Sequence, residues 1–151
     1  MLEESNGVVV VPVDEAGNVY LEKEYFVGAN RMMLGLVGGK TFALKDADLK
    51  EEAQRELQEE IGMKAKKLIK LNKSYVTPWT SNRVAALFLG LGLEPAKRKT
   101  GDHDEIIEVV KMPINEAIRE AQKDFVTAGH EVGYLMLARE KLRELGILNE
   151  R

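Results

Sequence analysis

Apolar residues recur along this chain at two different spacings, and the changes between them mark out strands and helices. Residues 8–13 form an almost unbroken β-branched run, interrupted only by Pro12, which predicts a buried strand. A turn-forming series at 14–18 leads into an alternating stretch at 19–25, so these two strands are expected to pair as a hairpin. A short apolar run at 32–37 ends at Gly38 and Gly39, where the backbone is expected to turn sharply.

The spacing then becomes helical. Leu49, Ala53, Leu57 and Ile61 form one apolar stripe, predicting a helix over 49–61 that starts at an Asp48–Glu51 capping box and stops at Gly62. Strand-like segments follow at 67–71, 84–91 and 106–112. Pro113 suits the first position of a helix reaching about residue 122. A last helix over 131–145 turns Val132, Leu135, Met136, Leu142 and Leu145 inward. Residues 94–104, rich in charge with a proline and a glycine, read as a long loop, a kind of segment that often carries function. Strands that bracket one helix, with helices gathered again at the end, predict an α+β protein. The expected architecture is an α/β/α sandwich, a mixed β-sheet packed between helices.

Composition narrows the class. At 151 residues the chain suits a single domain spanning 1–151, large enough to hold a core without staples, and it contains no cysteine. Disulfides and thiolate metal sites are therefore excluded. A net charge of −3 argues against non-specific binding to nucleic acid. No apolar run approaches the roughly 18 residues that span a bilayer, and the acidic start does not suit a signal peptide, so the cytoplasm is the expected location.

The candidate chemistry lies on the first helix, where residues 55–60 read Arg-Glu-Leu-Gln-Glu-Glu. Glu56 is three and four residues from Glu59 and Glu60, so their carboxylates share one side, and Glu52 extends the row. Like charges at this spacing weaken an isolated helix, whereas a hard cation such as Mg²⁺ turns the repulsion into binding. Arg55, four residues before Glu59, is placed to hold that carboxylate. The plain alternative is a solvated acidic face balanced by Lys50 and Lys64.

Gly38-Gly39-Lys40 followed by Arg55-Glu56-Leu57-Gln58-Glu59-Glu60-Ile61-Gly62-Met63 resembles the box of the Nudix hydrolases, matching its second half at every defined position. The resemblance implies the Nudix fold and attack of a metal-activated water on a diphosphate linkage, with Mg²⁺ or Mn²⁺ as cofactor. Glu56, Glu59 and Glu60 become metal ligands, Arg55 orients Glu59, and the Gly38 carbonyl adds a ligand from the turn. The family also has a glutamate six residues after the glycine and eight before the arginine. Here those positions hold Lys45 and Ala47, so Asp46 or Asp48 stands in or the role is lost.

Residues 21–28 resemble the Glu-Tyr strand end of ADP-ribose pyrophosphatases and related ADP-compound hydrolases, and Pro78 lies close to the proline that marks this branch. The implied substrate is a small nucleotide, ADP-ribose or another nucleoside-diphosphate sugar, contacted by Lys23, Tyr25, Pro78 and Trp79. A loop glutamate of the branch, acting as catalytic base or extra ligand, corresponds to Glu105 first and Asp104 second, with His103 a bystander and His130 structural. Relatives exchange an N-terminal β-region between subunits, and no such region precedes Val8, which leaves adenine specificity and a homodimer open. The alternatives are a hydrolase of nucleoside triphosphates or dinucleoside polyphosphates, and a nucleotide-sensing domain without catalysis.

Overall fold

A computed structural model describes residues 5–98 and 107–148. Seven strands and three helices follow in the order β1 (Asn6–Pro12), β2 (Asn18–Phe26), β3 (Arg31–Gly35), β4 (Val37–Thr41), α1 (Asp46–Ile61), β5 (Met63–Tyr75), β6 (Val84–Pro95), β7 (Glu108–Pro113), α2 (Ile114–Ala121) and α3 (Glu131–Glu144). They build two sheets. One is mixed, in the order β4-β1-β6-β5 with β1 parallel to β6, and the other is antiparallel, in the order β3-β2-β7.

The expected hairpin of β1 and β2 does not form, because the two strands belong to different sheets and meet only at the bridge Val13–Val19. The cause lies in β1. Val8 and Val10 enter one core while Val9 and Val11 face the other, so β1 needs a neighbour on each edge and takes β4 and β6. Asp14 still makes the expected turn, its Oδ1 accepting the N–H groups of Ala16 and Asn18 at 3.0 and 2.9 Å.

Helix α1 covers one face of the mixed sheet, where Leu49, Ala53 and Leu57 pack on Val8, Val10 and Phe88. The opposite face is covered by the second sheet with α2 and α3, around Val11, Leu21, Leu87, Leu89, Ile118, Leu135 and Leu142. This is the predicted layering of helices about strands, with the strands divided between two sheets. Among the described residues no helix is long and apolar enough to cross a membrane.

Several local expectations shift. The capping box is absent: α1 begins at Asp46 after Lys45, without a side-chain cap, and its first turn is tied down by Asp46 pairing with Lys70 and Lys73. Its end is as read, with Gly62 at φ 67° closing the helix by donating to Gln58 O. Gly38 and Gly39 are not a turn. They pair with Val9 and Val8 inside β4, and the run 32–37 breaks instead at Leu36. Pro113 ends β7 and caps α2 from outside rather than opening it. In α3 the buried stripe is Leu135, Ala138 and Leu142, while Met136 and Leu145 are exposed. The expected loop at 94–104 begins late, since the β5–β6 ladder runs on to Met63–Pro95.

Candidate active site

The last two turns of α1 lie against β4, and that contact makes the site. A side chain at 39 would displace the Glu56 carboxylate, and glycine there lets it reach the backbone. The Glu56 carboxylate occupies the space that a Cβ on Gly39 would fill, and the Gly38 N–H donates to Glu60 Oε2 at 3.0 Å. Arg55 braces the row from outside. Its Nη1 lies 3.1 Å from both Glu59 oxygens, and its Nη2 reaches Glu52 at 2.6 Å and Glu56 at 3.2 Å. The expected Arg55–Glu59 pair is present, widened to three carboxylates.

Two further acids, unforeseen in the sequence, close the site from other elements. Glu22 of β2 is 1% exposed, with Oε1 lacking any hydrogen-bond partner among the described residues. Its other interactions are with Glu60, through a hydrogen bond, and with the charges of Glu24, Glu56 and Glu131. Burial pushes both Glu22 and Glu60 well above the usual carboxylate range, and for Glu60 the Glu22 charge adds to it. The pair therefore holds a proton, with Glu60 donating to Glu22. Glu131, in the first turn of α3, is pushed up to about 7 by burial, partly offset by a hydrogen bond from the Leu36 backbone.

The remaining residues singled out in the sequence are more dispersed. Asp46 and Asp48 sit in the first turn of α1, at the opposite end of the helix from Glu60, and Asp46 pairs with Lys70 and Lys73. Lys23 is exposed beside Glu22, and Tyr25, 52% exposed, hydrogen-bonds Asn30. Pro78 and the 78% exposed Trp79 form the tip of a tight turn closed by Thr80 and Ser81 N–H groups donating to Thr77 O. Glu105, Asp104 and His103 lie outside the described residues. His130 precedes α3, its ring packed against that of Tyr134.

The cluster fits a divalent cation. Glu22, Glu56, Glu60 and Glu131 are acids whose ionised forms repel one another, two buried oxygens (Glu22 Oε1 and Glu131 Oε2) are unpartnered among the described residues, and a proton does the work of a counterion. Among the described residues no group of three acidic or histidine side chains is arranged as a set of metal ligands.

Glu131 carries a direct consequence for stability. Its folded pKa lies above its ordinary value, so its stabilising contribution is complete below about pH 4.5 and is lost as pH rises through about 7. Over that window metal-free protein should lose up to about 3 kcal/mol from this group. Urea unfolding of metal-stripped wild type and Glu131→Gln across pH 4.5–8 tests it, with the glutamine profile expected to be flatter. Parallel profiles would remove Glu131 from the account.

Comparison with known proteins agrees with this architecture. The family model described as NUDIX domain matches residues 4–133. An ADP-ribose pyrophosphatase of Bacillus subtilis (strain 168) is 28% identical over 120 residues, covering 79% of this chain and 64% of that protein's length. A solved structure titled as an ADP compounds hydrolase superposes with a TM-score of 0.84 at 26% identity, covering 96% of this chain and 76% of the other. With the profile covering most of its length, the glycine-lined contact of α1 and β4 in place and the fold shared, this chain belongs to the NUDIX domain family.

Proposed function

We propose that the chain is a pyrophosphohydrolase that cleaves the diphosphate linkage of a nucleoside-diphosphate compound, ADP-ribose or a related nucleoside-diphosphate sugar. The observation that carries this reading is the set of acids around Gly38 and Gly39: Glu56 and Glu60 from α1 and Glu22 from β2, with Arg55 bracing the row. The substrate class is supported by the printed activities of the two relatives, an ADP-ribose pyrophosphatase and an ADP compounds hydrolase.

Glu56, Glu59 and Glu60 would hold Mg²⁺ or Mn²⁺, with the Gly38 carbonyl as a further ligand and Glu22 adding an acid that the sequence motif does not contain. When bound, such an ion neutralises charge on the diphosphate and makes water a competent nucleophile near neutral pH. The chain's own part is arrangement. Arg55 fixes the rotamers of Glu56 and Glu59, and the Gly38 N–H steadies Glu60. Glu60 and Glu22 would have to give up the proton they share for such an ion to be held, so loading would be favoured by rising pH. Lys23, Tyr25, Pro78 and Trp79 contact the substrate in this reading, and Glu105 accepts the proton from the attacking water.

A substrate panel tests the proposal. With saturating Mg²⁺ or Mn²⁺, ADP-ribose should yield AMP and ribose 5-phosphate, resolved by chromatography, and nucleoside triphosphates and dinucleoside polyphosphates should turn over more slowly. Absence of turnover for every diphosphate compound would overturn it.

A further inference from the structure

Arg83 stands just before β6, and its position is not explained by packing alone. The turn at 77–81 delivers it, with its N–H donating to Ser81 Oγ at 3.3 Å and its carbonyl accepting from Val76 N–H at 3.0 Å. Its backbone is thus fixed at the head of the sheet. The side chain is half-buried, and its Nε is fully buried with no hydrogen-bond partner among the described residues. The guanidinium forms no ion pair among the described residues, although Glu131, with an unpartnered Oε2, belongs to the neighbouring acid cluster. A guanidinium stays charged at any physiological pH, so a half-buried one without a counterion is costly unless an anion arrives.

Its surroundings show where that anion would sit. Gly7 of β1 leaves open the space beneath Arg83: a Cβ there would lie 3.4 Å from Nη2 and 3.7 Å from Gly39 O. The guanidinium is therefore separated from the Gly38–Gly39 segment by a single glycine position. On the other side are His130 and Tyr134, whose rings pack 5.2 Å apart at the start of α3. Tyr134 feels the charges of both Arg83 and Glu131, so the first turn of α3 spans the gap between the guanidinium and the acids. His130 is held below its ordinary pKa by burial and then by the Arg83 charge, so at neutral pH it adds no second cation. Among the described residues Arg83 has no ion-pair partner.

We propose that Arg83 is a substrate-binding residue that takes the phosphate oxygens of the diphosphate, entering over Gly7 and opposite the carboxylates. A planar guanidinium gives two parallel donors to a phosphate, which fixes the diphosphate against the acids by direction as well as by charge. This assignment rests on the hydrolase reading for its substrate, but its primary test does not require turnover.

Inorganic pyrophosphate, AMP and ribose 5-phosphate are titrated into metal-stripped wild type, Arg83→Gln and Arg83→Lys at pH 8, followed by calorimetry. Losing one charge-assisted pair should weaken pyrophosphate binding by about tenfold in Arg83→Gln, with Arg83→Lys in between. The AMP and ribose 5-phosphate arms show which half of the substrate leaves its phosphate on Arg83. In the presence of Mg²⁺ the same variants should raise KM for ADP-ribose more than they lower kcat. Wild-type affinity for all three ligands in Arg83→Gln, folded as judged by its melting curve, would overturn the assignment. Should Arg83→Gln not fold, wild-type pyrophosphate affinity in Arg83→Lys would overturn it equally. A protein that binds pyrophosphate through Arg83 yet cleaves no diphosphate compound sinks the proposed reaction and leaves this site standing.

Discussion

Replacing Glu60 by glutamine should lower kcat/KM roughly 10²–10³-fold, the scale on which a single group placed at developing charge acts, while making metal-free protein more stable at alkaline pH. The two effects have one origin. Without a cation Glu60 is protonated, donating to Glu22 and accepting from the Gly38 N–H at 3.0 Å. Glutamine keeps both bonds, so the substitution costs the metal-free fold little. Glutamate in the same place carries a raised pKa, and its contribution to stability is present below its ordinary value near 4.5 and lost as pH rises through the folded one. Glutamine has nothing to lose there. What the variant lacks is the ionised oxygen that a divalent ion requires. Urea unfolding at pH 8 with and without Mg²⁺ separates the effects: the ion should stabilise wild type and leave Glu60→Gln almost unmoved. Equal stabilisation of both proteins, or activity within a few-fold of wild type, would show that Glu60 is not part of a cation site.

The portion of this site that was legible in the sequence is the portion carried by one helix. Arg55, Glu56, Glu59 and Glu60 sit within two turns, and the periodicity that predicts α1 also places their side chains. Glu22 was illegible for the complementary reason. Alternation in β2 turns Val19 and Leu21 inward and Glu22 outward, and that outward face is buried only because α1 and α3 bring Glu60 and Glu131 to it. No local window contains those partners. Asp46 and Asp48 are the acids near the box in sequence, and the structure adds a carboxylate, Glu22, from another sheet. The same limit applies to the hairpin: adjacency and a good turn at Asp14 favour pairing of β1 with β2, but the two-faced apolar character of β1 demands a central position in its sheet. Glu105 falls outside the described residues, so its role rests on the resemblance alone.

The glycine pair lies within β4 rather than at a turn, and its place there leads to a contrasting prediction. Alanine at 39 should abolish most activity while sparing the fold, and alanine at 38 should do the reverse. At Gly39 the new methyl would collide with the carboxylate of Glu56, the far end of a flexible side chain. Glu56 can swing away, which breaks its 3.2 Å contact with Arg55 and removes it from the cluster, but leaves the β1–β4 ladder intact. At Gly38 the methyl would lie 2.7 Å from the Val8 carbonyl oxygen, which is backbone of the neighbouring strand. That oxygen cannot move without opening the sheet beside the buried Val8 and Val10, a strain of about 1–3 kcal/mol by analogy with overpacked cores. Gly39→Ala should therefore lose activity about a hundredfold or more, since a misplaced catalytic group costs that much, and melt within a few degrees of wild type. Gly38→Ala should melt roughly 2–10 °C lower for a chain of this size. Thermal melts beside initial rates at a temperature where both variants are folded decide the matter. If Gly39→Ala keeps its activity, Glu56 is not held where the reaction needs it, and the carboxylate cluster loses the member that ties it to the glycine strand.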